Sequence, residues 1–422
     1  MHSPRRLILL GALLCVIVTG TLRGGDWPSF RGPNGNGIAN EPKAPLRWTA
    51  DENIRWRVPI GEGNGSPIVV SGKVFVLNAS DSGRKRSLHC LDRTTGKTQW
   101  VKTVETNKKS PTHQTNPYCG STPASNGKVV VAWHGSAGLY AYDMGGKQLW
   151  KKELGEFRHM WGYGTSPIIV GDQVIMHCGP GKRVFLASFN INTGNSNWEN
   201  DEPQDGDGQR RKKDKSYMGS WATPVLTRIN GVSQLVCTMP TRVNGYDLKS
   251  GKILWWCNGI SGERGDLAYS SPIIAGNVCY ANGGYMGPAI GFPLGGKGDL
   301  TSKRLWRLDR TSQNIGSGVF VNGHIFKANA GPDTLECVNP KTGKVVWQSK
   351  RTNAGNHWGS IIYAAGRLYV TGQKGTTVVF SPNTSEFQLL ASNKLAERCN
   401  ATPAFSNGEI FIRTYKHVYC IK

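Results

Sequence analysis

A short phrase repeats along this chain and limits its fold more than any other feature. It reads Asp92-Arg93-Thr94-Thr95-Gly96-Lys97-Thr98-Gln99-Trp100 at its first clear appearance. It returns as Asp143 to Trp150, Asn192 to Trp198, Asp247 to Trp255 and Asn339 to Trp347, and in all five copies a Gly stands four residues before the Trp. Leu305-Trp306 is a degraded sixth copy. A second phrase, Ser/Thr-Pro followed by apolar residues, occurs at Ser66, Thr122, Ser166, Thr223, Ser271 and Thr402, and Ser317 and Ser360 fill the gaps without Pro. These eight starts have a mean spacing of 48 residues. Asn-Gly turns follow several starts, at Asn126, Asn230, Asn322 and Asn407. Asn-Gly between apolar runs is a hairpin signal, because both central residues of a type I′ turn need positive φ. Each unit therefore reads as four antiparallel strands, A to D, with the Trp on strand D. Four strands at this period make a propeller blade. The expected fold is all-β, an eight-bladed β-propeller of four-stranded antiparallel blades.

The termini support that count. The last unit stops at Tyr419-Cys420-Ile421-Lys422, one strand short. Asn53-Ile54-Arg55-Trp56-Arg57-Val58 looks like an orphan strand D with Trp56 in the signature place. The N-terminal strand can thus complete the last blade and remove an open sheet edge. The expected organisation is a signal peptide over 1–20, an N-terminal extension over 21–52 and the propeller over 53–422.

Composition agrees. The 422 residues include 54 Gly and 14 Trp but only 19% charged residues, which suits many short strands and tight turns and excludes a coiled coil, a helical solenoid or a disordered chain. Lys and Arg exceed Asp and Glu by 51 to 28, giving a formal charge of +23 that favours anionic partners or surfaces. Arg5 and Arg6 precede an apolar run over 7–19 and small residues at Val18-Thr19-Gly20, the pattern of a secretory signal too short to span a bilayer. Nine Cys follow it, an odd number, so at least one is unpaired or intermolecular; Cys90, Cys337 and Cys420 fall on equivalent apolar strands and read as small core residues.

The phrase Asp-x-x-Thr-Gly-Lys-x-x-Trp at this period resembles the pyrroloquinoline-quinone (PQQ) repeat, and the chain from about Asn53 to Lys422 is similar to the eight-bladed quinoprotein-like propellers. The segment Trp27-Pro28-Ser29-Phe30-Arg31-Gly32-Pro33 resembles the leader of secreted bacterial PQQ-like repeat proteins. The resemblance implies one of two functions: PQQ-dependent oxidation of alcohols or sugars, or a non-catalytic scaffold like the propeller of outer-membrane β-barrel assembly. The dehydrogenases carry adjacent cysteines over the quinone, Ca²⁺ held by carboxylate and amide oxygens, and an Asp base. No two Cys are adjacent here and no matching Glu, Asn and Asp set can be placed. No cofactor is therefore expected, PQQ with calcium being the alternative.

In a propeller the D–A and B–C loops share the face on which the central channel opens. Residues just before each strand A should ring that mouth. Trp161, Tyr163, Tyr217, Trp221, Tyr269, His357, Trp358, Arg398 and Asn400 are the candidate ligand-binding residues, aromatic rings with a few polar groups that suit a planar or sugar-like ligand or simply plug the channel. Arg84-Lys85-Arg86, Lys182-Arg183, Arg242, Lys374, Arg413 and the run Gln209 to Lys215 should line the same face with positive charge. The apolar Gly/Pro stretch Gly283 to Gly296 reads as a B–C loop over the mouth. Hydrolase elbows, His-Glu-x-x-His and P-loop motifs are absent from the sequence. The expectation is a periplasmic or secreted monomer, a non-catalytic binding or scaffold module of the bacterial cell envelope. Its partner would be an envelope protein or an acidic glycan or surface; neither nucleic acid nor a transmembrane segment is expected. PQQ-dependent dehydrogenase and glycan-binding protein are the alternatives.

Overall fold

The computed structural model describes residues 25–108, 110–202 and 217–422; the expected signal peptide lies outside them. Eight four-stranded antiparallel blades follow one another around a ring, and among the described residues helix is limited to three short 3₁₀ turns. Among the described residues no helix is long and apolar enough to cross a membrane. Blade 1 shows the pattern: strand A Ile68–Val70, B Lys73–Ser80, C Lys85–Asp92 and D Thr98–Glu105. The ring closes as expected. Ile54–Pro59 pairs antiparallel with His417–Ile421 as strand D of blade 8, with Trp56 opposite Cys420.

The repeated phrase is a device for docking neighbouring blades. The side chain of Asp92 accepts the backbone N–H of Thr94 and Thr95, at 3.1 and 2.8 Å, which sets the C–D turn. The indole of each preceding strand D then donates to a carbonyl of that turn: Trp56 to Arg93 (2.9 Å), Trp100 to Met144 (3.2 Å), Trp150 to Ile191 (2.7 Å), Trp306 to Pro340 (2.9 Å). The turn Gly lies flat on the same ring. A Cβ on Gly343 would stand 2.7 Å from Trp306, and its φ is +71°. Within each blade the residue on strand C facing the Trp is small: Cys90 faces Trp100, Ala141 faces Trp150, Gly245 faces Trp255 and Cys337 faces Trp347. All nine described cysteines are buried free thiols, Cys90, Cys337 and Cys420 among them.

Blades 4 and 5 break the pattern. Trp255 turns inward and donates to Gln234 of its own blade at 2.8 Å, and Gly298–Asp299 from blade 5 runs parallel to Trp255-Trp256 instead. The stretch Gly283 to Gly296 is not one loop. Ala289–Pro293 forms strand C of blade 5, so the B–C loop is only 283–288 and the rest begins the C–D connection. Alternation of Ile290 and Phe292 with small residues was the strand signal, masked by Gly and Pro on both sides.

The Ser/Thr before each strand A serves the ring rather than its own strand. The backbone N–H of Ser66 donates to the hydroxyl of Thr122, Thr122 to Ser166, and Ser166 to Thr223, at 3.0–3.1 Å. A second run leads from Ser271 to Ser317, Ser360, Thr402 and back to Ser66, at 2.9–3.0 Å, so that seven of the eight blade junctions are linked in this way. A belt of hydroxyls therefore ties the inner edges of successive blades around the channel.

The N-terminal extension closes the far end of that channel. Trp27 bridges Val69 of blade 1 in both directions, the carbonyl of Pro28 accepts from Ser125 of blade 2, and the Arg31 guanidinium bonds the Gly318 carbonyl of blade 6. Ile38–Ala39 then adds a parallel strand to the inner edge of blade 7. The segment 27–39 thus crosses the floor of the ring at the A–B turn end.

Candidate functional site

The loops on the opposite face build the mouth. The loop from blade 1 to blade 2 reaches across it. The Thr115 carbonyl accepts the side-chain amides of Asn64 (3.0 Å) and Asn400 (2.7 Å), and the Asn116 amide donates to the carbonyls of Trp161 (2.8 Å) and Tyr163 (3.1 Å). This loop therefore holds blades 8, 1 and 3 together over the channel. On the other side Trp161, Trp221 and Tyr269 stand before the strands A of blades 3, 4 and 5, and Tyr285 joins them from the 283–288 loop. Ring centroids lie 6.0 Å apart for Trp161–Trp221, 5.4 Å for Trp221–Tyr269 and 5.3 Å for Trp161–Tyr285. The interplanar angles, 42° to 58°, make a concave wall rather than a parallel slot.

These groups enclose a cavity of about 320 Å³. Its floor is Phe30; its waist is the hydroxyl belt; its upper wall adds Gln313 and Trp358 to the aromatics and amides. Among the described residues no Asp, Glu, Lys or Arg lines it. His113 is the one imidazole in the lining, its Nδ1 2.7 Å from the Thr115 hydroxyl. Burial pushes the Tyr269 phenol well above its ordinary range. The described lining thus lacks carboxylates, Lys and Arg, is rich in hydroxyl and amide groups, and is aromatic on one side.

Five of the nine expected residues meet here: Trp161, Trp221, Tyr269, Trp358 and Asn400. Tyr217 stands behind the wall, 5.0 Å from Trp161 and stacked on Tyr285. Tyr163 does not reach the cavity. Gly162, at φ +71°, turns the chain between it and Trp161, and Tyr163 is buried against Trp133 at 4.9 Å. His357 is fully buried beneath Trp358, its Nε2 3.0 Å from the Thr352 hydroxyl, and burial drives it down to about 4, so it is neutral. Arg398 is exposed on the outer side of its loop. Sequence reasoning missed Phe30, Tyr285, Gln313 and the loop 113–116. Phe30 lies in the conspicuous leader motif and Tyr285 in the Gly-rich loop, but nothing local shows that either reaches the channel.

The basic rim is thinner than the charge count implies. Arg86 is buried, donating to the Gly83 carbonyl at 3.0 Å. Arg413 is fully buried on strand B of blade 8, bonded to the carbonyls of Gly61 (2.8 Å) and Gly63 (3.2 Å), and burial lowers it to about 10. Arg183 pairs with Glu199 and Asp201, Arg242 with Glu202, and Arg84 with Asp81. Gln209 to Lys215 lies outside the described residues.

A closed eight-bladed ring whose blades dock through Trp and Thr-Gly turns defines a PQQ-like propeller. The chain belongs to the family described as outer membrane protein assembly factor BamB, whose model matches residues 84–349 and 331–421. No curated protein sequence matches it. Among solved structures it is similar to BamB from Moraxella catarrhalis, at 13% identity and TM-score 0.60 over 87% of this chain and 98% of that one. It is also similar to the quinohemoprotein alcohol dehydrogenase from Comamonas testosteroni (13%, TM-score 0.66, 94% of this chain and 80% of that one). A europium-containing methanol dehydrogenase matches at 11% and 0.65, over 94% and 90%. At such identities the likeness is one of fold.

Whether the channel suits PQQ can be judged from its own groups. Calcium needs anionic or carbonyl oxygens, and a tricarboxylate quinone needs cations. Among the described residues the lining offers neutral amide oxygens and His113 but no carboxylate to charge-balance calcium and no Lys or Arg to hold a tricarboxylate. Among the described residues no three His, Cys, Asp or Glu cluster to hold a metal. The residues present do not fit the group.

Proposed function

We propose that this protein is an exported, non-catalytic propeller that serves as a binding or scaffold module of the bacterial cell envelope, meeting its partner on the loop face around the channel mouth. The observation that carries this reading is a cavity whose described lining holds no carboxylate, Lys or Arg. General acid–base or metal-assisted chemistry needs titratable or ligating groups at the reacting atoms. Apart from the His113 imidazole, the convergent groups among the described residues are rings, amides and hydroxyls, the equipment of recognition. Membership of a family described as an assembly factor supports the same direction, as does the secretory pattern of residues 5–20.

The test is titration of the purified mature chain with PQQ and Ca²⁺, followed by Trp fluorescence and by dye-linked oxidation of alcohols and sugars. Neither saturable binding nor turnover is expected. Micromolar binding lost in Trp161→Ala or Trp358→Ala, together with turnover, would establish the dehydrogenase reading instead. Envelope proteins cross-linked through the mouth loops, and not through the A–B turns, are the positive outcome.

A further inference from the structure

The cavity divides into two unlike halves. Blades 3, 4 and 5 contribute the aromatic wall, Trp161, Trp221, Tyr269 and Tyr285. Blades 8, 1 and 2 contribute Asn400, Asn64 and the loop 113–116, with the hydroxyl belt beneath both halves. One side-chain N–H each of Asn64 and Asn400 donates to the Thr115 carbonyl. Their side-chain oxygens remain as acceptors on the polar side.

We infer that this pocket binds a neutral saccharide. The inference rests on the reading that the site binds rather than catalyses. A pyranose is itself two-sided: one face presents C–H groups and its edge presents hydroxyls. The face of an aromatic ring carries negative charge density and receives C–H groups. Amide oxygens and hydroxyls answer the sugar's own hydroxyls, whose polarity must be matched once water is excluded. Other ligand classes leave something unanswered. An apolar ligand would leave the side-chain oxygens of Asn64 and Asn400 without partners. An anion would enter a site whose described lining offers no Lys or Arg to offset its desolvation. A flat heterocycle would find no parallel pair of rings, since the lining rings are tilted by 42° or more. The volume, about 320 Å³, lies at the small end of ligand pockets and suits roughly one or two sugar rings.

The experiment is isothermal titration of the full mature protein with short neutral oligosaccharides of the gluco-, manno-, galacto-, xylo- and N-acetylglucosamine series, alongside uronic-acid oligomers. At least one neutral series should bind, and uronic-acid oligomers should bind at least about tenfold more weakly, a difference of about 1.4 kcal/mol. Trp221→Ala and Trp358→Ala should each lose about tenfold or more in affinity at an unchanged melting temperature, while Trp221→Phe should retain most of it. Asn400→Ala, on the polar side, should also weaken binding. No binding by any neutral series overturns the inference, as does binding that survives both Trp substitutions. Partner capture through the mouth loops without sugar binding would overturn the sugar assignment and leave the binding-module reading standing. Oxidation of a bound sugar in the presence of PQQ and Ca²⁺ would do the reverse.

Discussion

At the scale of single residues, two glycines with the same backbone separate steric contact from backbone strain. Gly343 and Gly323 have φ of +71° and +74°, but a Cβ on Gly343 would meet the Trp306 ring at 2.7 Å while one on Gly323 meets nothing within 4 Å. Gly323→Ala should destabilise by about 1 kcal/mol, the left-handed backbone strain alone. Gly343→Ala should lose about 1–3 kcal/mol more, because the blade junction must open to admit the methyl. Urea denaturation of the two variants measures the difference; equal losses would show that the Trp–Gly contact does not set the junction. Side-chain direction was the least readable property at this scale. Trp161 and Tyr163 are equivalent in a sequence, and so are His357 and Trp358, yet one member of each pair faces the cavity and the other the core. A single turn at Gly162 decides the first case.

Among elements, the C–D turn and the Trp strand were fully readable because the signal is local: an Asx turn, a Gly and a Trp within nine residues. The same holds for the orphan strand Ile54–Pro59, whose Trp56 marks its place. Blade 5 was misread where Gly and Pro flank a true strand. The crossing of 27–39 under the ring and the hydroxyl belt were not readable, since both depend on partners in other blades. The closing seam carries a further long-range contact. Glu409 of blade 8 lies 2.6 Å from Arg55 on the N-terminal strand and 2.6 Å from Arg93 in the blade 1 turn, and its side chain is 7% exposed. Glu409→Gln leaves two guanidiniums without their counter-charge. The expected loss is about 2 kcal/mol, below the value for a fully buried pair because Arg55 is 40% exposed. A thermal melt that matches the parent chain would show that the seam is held by its strand pairing alone.

The whole molecule carries a pH liability spread over its blades. His134 in blade 2, His177 in blade 3 and His357 before blade 7 are all buried, and burial lowers them to about 3, 4 and 4 from an ordinary value of 6.5. Their folded values lie below the unfolded one, so between about pH 6.5 and 4 the unfolded chain takes up protons that the ring refuses. Stability is complete above that window and falls through it, each histidine contributing up to about 1.4 kcal/mol per pH unit. Calorimetry should show a melting temperature lower at pH 5 than at pH 7; a flat profile would mean that these rings take up protons in the folded state as readily as in the unfolded chain.

The floor laid by 27–39 has a consequence for any chain-like partner. A ring open at both ends can be threaded by a polymer, which may slide through and be read along its length. With Phe30 set in the passage, this ring is a well with one door. A glycan or a polypeptide can enter only by its terminus, must stop after a few units, and has to back out the way it came. A ring of this form would meet chain ends rather than chain middles, so that cutting one long polymer into many short ones would multiply the sites open to it without adding mass.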